Sequence, residues 1–340
     1  MNALTLLLRR LPGMLGVVFG VLVVTFLVSH LIPTDVARLI AGNQASEEVV
    51  SELRSRMGLD QPLPVQFGRY LTQLAGGDLG MSTRTQQPVA HELAKLFPAT
   101  VELAVCALFF TVVVALPLGL LSALRRDSVL DQVVRVLSLI GISVPTFWAG
   151  LLLIQVFYGW LGWLPSGGRL DPRLAGTVPQ VTGLLLVDSL LAARWDAWID
   201  AVRHLALPAG TLALHSIGGI ARLVRAATLE VLGEDHVRTA RAAGLSRWRI
   251  VWSYVMPHML LPVVTALGLS LAHLLGGAVV TELVFSWPGV GSHTIEAIAA
   301  LDFPTIMGFT LLASLIYTLS NLLVDLAYLW IDPRLREAAA

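Results

Sequence analysis

Six apolar stretches, each long enough to cross a lipid bilayer as a helix, constrain this chain more than any other feature. They cover residues 11–32, 99–124, 133–158, 205–229, 260–285 and 305–331. A hydrocarbon core about 30 Å thick needs roughly 20 residues of helix. Inside it each backbone N–H and C=O must be satisfied within the structure, which favours helices for apolar runs of this length. Composition agrees: 56% of the residues are hydrophobic and 14% charged, against about 25% charged in soluble domains. A further apolar run, residues 181–193, is too short to span and contains Asp188. It reads as a helix lying at the interface. The first stretch is too long for a cleavable signal and has no Ala-x-Ala site after it.

Basic residues orient the spans. Arg9, Arg10, Arg125, Arg126, Arg135, Arg222, Arg225, Arg238, Arg241, Arg247, Arg249, Arg334 and Arg336 crowd into short loops and tails on one side, more than half of the 23 Lys and Arg residues. The positive-inside rule puts that side in the cytoplasm. The expected fold is an all-α integral membrane protein with six transmembrane helices and both termini cytoplasmic. A small periplasmic domain stands between helices 1 and 2. The expected layout is residues 1–33 for the tail and first span, 34–98 for the periplasmic domain and 99–331 for a five-helix core. Within that core lie an outer interfacial segment, 159–204, and a cytoplasmic loop, 230–259. Residues 332–340 form a cytoplasmic tail.

The loop is a charged island between two apolar runs. From Asp235 to Ala243 it reads as a short helix, with Glu234 four residues before Arg238 for an i,i+4 ion pair. Gly244 suits the left-handed turn that ends such a helix, and Ser246 suits the cap of the next. Two short helices at a sharp turn on a membrane surface offer a docking feature to a soluble partner. Lys95 is the single lysine and follows Ala94. A phosphate-binding loop needs Gly-Lys followed by Ser or Thr, so any ATP that drives this chain is bound by another polypeptide. Cys106, the single cysteine, excludes an internal disulfide and a cysteine-based metal site.

These residues carry a resemblance. Arg238-Thr239-Ala240, three residues, Gly244, nine residues, then Tyr254-Val255-Met256-Pro257 resembles the cytoplasmic loop of ABC importer permeases, in which Glu-Ala-Ala precedes the glycine and Ile-x-Leu-Pro follows it. Arg238, Thr239, Tyr254 and Met256 depart from that pattern, while the glycine-to-proline spacing is kept. "MGLDQPLPVQFGRYL", "GGDLGMSTRTQQPV", "FPATVELA", "GISVPTFWAGLLLIQVF" and "TELVFSWPGVG" are similar to the dipeptide, oligopeptide and nickel branch of that family. Ser29-His30-Leu31-Ile32-Pro33-Thr34-Asp35 resembles its Arg-Leu-Ile-Pro-Gly-Asp exit from the first span. The resemblance implies a non-catalytic membrane subunit in a bacterial inner membrane. It also implies a second homologous permease subunit, two ATPase subunits carrying ATP and Mg, and an external substrate-binding protein. This chain itself is expected to bind no cofactor, no metal and no nucleic acid. The coupling loop would comprise Glu234, Asp235, Arg238, Thr239, Ala240, Arg241, Ala243, Gly244, Leu245, Arg247 and Pro257. Segment 34–98 would either dock the binding protein or cap the outer face.

Polar groups within the spans are functional candidates weighed against pairing. His215, His273, Glu282 and Trp287 are the translocation-path candidates. His215 is expected to bond a neighbouring helix, with Gly218 and Gly219 serving close contact. Glu102 reads as an acid favoured by a helix N-terminus. Pro145 reads as a kink or hinge near Gly141. Arg222 and Arg225 are expected to snorkel to the inner surface, and Asn321 and Asp325 to bond a neighbouring span or a basic group. Peptides are the default cargo, nickel or another small solute the alternative. An intramembrane enzyme would need a His-Glu-x-x-His zinc pattern, a cysteine nucleophile with a base or a Ser–Lys pair. The chain has none of these. A passive pore would have no need of the docking loop.

Overall fold

The protein is described by a computed structural model covering residues 3–31, 36–42 and 45–331. The exit turn expected at Pro33 and Thr34 and the tail 332–340 lie outside the described residues. In chain order the helices are α1 (Ala3–Leu31), α2 (Val36–Ala41), α3 (Glu47–Met57), α4 (Leu63–Ala75), α5 (Val89–Leu124), α6 (Val129–Ser143), α7 (Thr146–Leu153) and α8 (Leu185–Leu191). They continue with α9 (Trp195–Leu232), α10 (Asp235–Ala242), α11 (Arg247–Ile250), α12 (Met256–Val284), α13 (Val290–Ala299) and α14 (Phe303–Ile331). A π-helical stretch, Ile154–Trp160, extends α7, and another, Val251–Val255, joins α11 to α12. Among the described residues the sole extended pairing is an isolated bridge between Met81 and Pro88.

Among the described residues five helices are long and apolar enough to cross a membrane: Leu7–Leu31, Val89–Leu124, Trp195–Leu232, Arg247–Val284 and Phe303–Leu326. A sixth crossing requires Val129–Ser143 and Thr146–Trp160 together, and these are bent by 107°. Pro145 causes the break. It has no N–H to give, and it restricts Val144 to an extended backbone, φ −80 and ψ 126. The expected local kink is therefore an elbow. The second span also starts ten residues earlier than expected, at Val89, so Glu102 lies well inside α5 and the helix-terminus explanation for it does not hold.

The first compact unit comprises residues 1–11, 98–292 and 316–340. Its centre is α9, packed between α5, α6 and α12. Leu103 and Ala107 of α5, Leu205 and Leu212 of α9 and Leu274 of α12 form one buried cluster. A second gathers Ala115, Val224, Met259 and Val263. The α6–α9 contact is backbone-close: a side chain at Gly218 would lie 2.5 Å from the Ser138 carbonyl oxygen. Gly219, expected to serve the same contact, faces open space instead. Of the run 181–193, only Leu185–Leu191 is helical. Val181, Thr182 and Gly183 fold their N–H groups onto the Asp188 carboxylate at 2.8–3.2 Å, and the Thr182 hydroxyl adds a bond of 2.8 Å. Burial pushes that carboxyl up, but these donors outweigh it and hold Asp188 below its ordinary value.

The second unit comprises residues 12–97 and 293–315. Described residues of segment 34–98 reach α1 at one end and the start of α14 at the other. Phe67 and Tyr70 of α4 meet Phe26 of α1 at ring distances of 5.0 and 6.1 Å. At the other end, the Asp302 carboxylate accepts from Ser82 Oγ at 2.5 Å, Thr83 N at 3.0 Å and Thr305 Oγ1 at 2.8 Å. Ser46 caps α3, and Gly58 ends it in the left-handed conformation at φ 68.

Candidate functional site

The charged island folds as two short helices at a sharp turn. Gly244 has φ +75, and the N–H groups of Gly244 and Leu245 return to the carbonyls of Arg241 and Ala240 at 3.0 and 3.2 Å. This satisfies the end of α10. Ser246 caps α11, accepting from Arg249 N at 3.4 Å. Val237 and Ala240 turn inward onto Val231, Ile250 and Val255, with Leu245 and Tyr254 partly buried beside them. Arg238, Thr239, Arg241, Ala243, Gly244 and Arg247 face outward, and Pro257 opens α12. The Glu234–Arg238 pair does not form. Glu234 is the N-cap residue and has left the helix, so its carboxylate meets His236 Nδ1 at 3.0 Å. Arg238 pairs with Asp235 at 3.5 Å. Arg241 and Arg247 rim a groove of ≈ 510 Å³ whose floor is Leu124, Leu232, Leu245, Ile250 and Val251. Trp248, 72% exposed, packs edge-on against Trp252 at 5.4 Å.

Two ion pairs brace the same unit. Arg225 is mostly buried and donates to both oxygens of Asp131 at 2.7 and 2.8 Å, rather than snorkelling outward as expected. Arg10 donates to Asp325 at 2.9 and 3.1 Å, which is the basic partner expected for that acid. Sequence reasoning passed over Asp131. Its one local signal is Ser128 three residues earlier, which caps α6 by accepting from Asp131 N at 3.3 Å.

Glu282 and Trp287 are enclosed. Glu282 is fully buried and accepts from Thr100 Oγ1 at 2.6 Å and Ser292 N at 2.8 Å. Trp287 donates from Nε1 to the Ala99 carbonyl at 2.9 Å, and the Arg169 guanidinium lies over its ring at 5.6 Å. Arg169 also reaches Glu102 at 2.5 Å, and Glu102 accepts from Leu186 N at 2.7 Å. Both path candidates thus belong to a knot that clamps the start of the α5 core against the α12–α13 turn.

His215 and His273 come together. Their rings, on α9 and α12, are 6.1 Å apart, both exposed on one face of the unit. With Thr146, Ser216 and Gly277 they line a small cavity of ≈ 100 Å³. Among the described residues neither imidazole makes a hydrogen bond, so the helix–helix bond expected for His215 is absent.

Residues 115–337 match the family described as binding-protein-dependent transport system inner membrane component, and residues 3–104 match its N-terminal counterpart. The chain is 52% identical over 331 residues, 97% of each sequence, to the probable D,D-dipeptide transport system permease protein DdpB of Escherichia coli (strain K12). It is 43% identical over 335 residues to the di/tripeptide transport system permease protein DppB of Pseudomonas aeruginosa (strain UCBPP-PA14), covering 98% of this chain and 99% of that one. A solved structure of the MetNI methionine ABC transporter in an inward-facing conformation has a TM-score of 0.51 at 19% identity, over 69% of this chain and 93% of that one. That likeness is one of fold. By matches that run nearly end to end, the chain belongs to the family of binding-protein-dependent transport system inner membrane components.

Proposed function

We propose that this chain is the permease subunit of an ATP-driven importer of di- and oligopeptides. The observation that carries the reading is the 52% identity to a D,D-dipeptide permease across 97% of both chains. In this reading a second homologous permease subunit completes the pathway. Two ATPase subunits hold ATP and Mg at the cytoplasmic face, and a binding protein delivers peptide from outside. Both termini are cytoplasmic, and segment 34–98 is periplasmic.

The Gly244 loop is the coupling element. Val237, Ala240, Ile250 and Val255 anchor its inner face to the unit that contains α9 and α12. A push on its outer face therefore reaches two spanning helices with little slack. Arg241, Arg247 and Arg249 are available for carboxylates of an ATPase, as is Arg238 once it exchanges its exposed partner Asp235, and the groove rimmed by Arg241 and Arg247 gives an apolar seat. The test is reconstitution of the complete complex in proteoliposomes. ATP-dependent uptake of dipeptide that requires the binding protein is expected. Uptake of nickel but not of peptide, or uptake without nucleotide, would overturn the assignment.

A further inference from the structure

Two cavities of unlike chemistry meet at one pair of residues. The larger, ≈ 410 Å³, fills the elbow between α6 and α7 and is walled by apolar groups including Ile140, Val144, Trp148 and Leu214. Its volume falls in the range of about 300–1,000 Å³ usual for small-molecule sites. The smaller is the ≈ 100 Å³ niche of His215, His273 and Ser216. Thr146 and His215 line both. Thr211, 1% exposed, lines the larger cavity, and its hydroxyl has no hydrogen-bond partner among the described residues.

We propose that this two-part site holds the cargo during passage and takes the C-terminal residue of a short peptide. The carboxylate sits between the imidazoles of His215 and His273, and the adjoining apolar side chain enters the elbow cavity. The inference rests on the peptide-importer reading above and adds the groups that recognise the cargo.

Charge complementarity selects the carboxylate end. An imidazole carries at least one N–H donor in either protonation state, and Thr146, Thr211 and Ser216 add hydroxyl donors. No Asp or Glu lines either cavity, so nothing there would hold the peptide ammonium. Uncovered imidazoles in a spanning helix are costly unless they face protein or a water-filled path. Weak donors also suit a transporter, because a transit site must release what it binds. A bidentate arginine would hold a carboxylate more firmly.

The experiment uses the complete complex with its binding protein in proteoliposomes, with alanyl-leucine and glycylglycine as cargo. H215F/H273F removes both donors at similar ring volume and is expected to slow uptake of both peptides about a hundredfold, roughly tenfold for each lost hydrogen bond. H215Q/H273Q keeps N–H donors and is expected to recover most of that loss. Ala149→Leu fills the elbow cavity, which Ala149 lines. It is expected to slow alanyl-leucine about tenfold more than glycylglycine. Co-purification of all subunits verifies assembly of each variant. Wild-type uptake in H215F/H273F, or no difference between the two peptides in Ala149→Leu, overturns the site. Absence of peptide uptake by the wild-type complex would instead overturn the importer reading.

Discussion

The Arg225 guanidinium forks across both oxygens of Asp131, at 2.7 and 2.8 Å, and so ties α6 to α9 near the end of α9 that leads into the loop. Asp131 is fully buried and also accepts from Ser122 Oγ at 2.5 Å and Asp127 N at 3.0 Å. Three segments therefore converge on one carboxylate: the end of α5, the α5–α6 link and α9. Removing one partner of such a pair strands the other, which costs about 3–5 kcal/mol. Asp131→Ala is expected to lower the unfolding temperature of the purified protein accordingly. The double variant Asp131→Leu/Arg225→Met is expected to be milder than Asp131→Ala, because no buried charge is left uncompensated; Arg135, 3.8 Å from Asp131, is itself exposed to solvent. A double variant whose loss equals the sum of those of Asp131→Leu and Arg225→Met would show the two residues to act independently.

Gly244 has open space around it, since a side chain there would meet nothing within 4 Å. The constraint is its φ of +75, a left-handed conformation that costs other residues roughly 1–2 kcal/mol. Gly244→Val should deform the turn while leaving the spans folded. We expect ATPase recruitment and peptide uptake to fall together, with unchanged helical content by circular dichroism. Gly244→Asn, which tolerates the conformation, should retain more of both. Normal coupled uptake by the valine variant would contradict the role given to the loop.

Asp302 gives the second unit an acid-sensitive joint. Burial pushes its carboxyl up, but Ser82, Thr83 and Thr305 donate to the ionised form and bring it below the ordinary value on balance. A carboxylate held down in the folded state stabilises fully above its unfolded value of about 3.9. That contribution is lost as pH falls through the depressed folded value. Thermal unfolding followed from pH 7 to 3 should show a steeper acid decline in the wild type than in Asp302→Asn. Equal acid limbs would remove Asp302 from the account.

Gly291 separates steric demand from general tolerance. A side chain there would lie 2.7 Å from Val279 Cα and 2.9 Å from the Glu282 carboxylate, and a backbone atom has little room to give. Gly291→Ala is expected to destabilise by roughly 1–3 kcal/mol through overpacking. Gly210, in α9, would meet nothing within 4 Å. Gly210→Ala should be neutral or stabilising by about 0.5–1 kcal/mol, since it removes the entropic penalty of a helical glycine. Melting temperatures in one detergent, measured side by side, decide the ordering.

Much of the loop was legible from its letters. Gly244 and Ser246 act locally, one through φ and the other through a cap three residues long, so neighbours in the chain suffice to read them. The Glu234–Arg238 pair failed because spacing alone does not reveal which residue has already left the helix. Glu282, an ionisable group inside a span, is a path candidate weighed against pairing, and Trp287 falls in a turn at the outer rim; the structure shows what each one bonds. Their partners, Thr100 and the Ala99 carbonyl, lie 182 and 188 residues away.

The apolar run lengths alone determined that this is a chain of membrane-spanning helices. A backbone in hydrocarbon must satisfy its own hydrogen bonds, and that demand is met within each segment. Only the tertiary structure decided which polar groups are spent and which are free. Asp131 finds Arg225 94 residues on, while His215 and His273 meet across two helices with no hydrogen bond taken. Such pairings depend on the rotation and depth at which helices pack, and no stretch of sequence short enough to read locally carries that information.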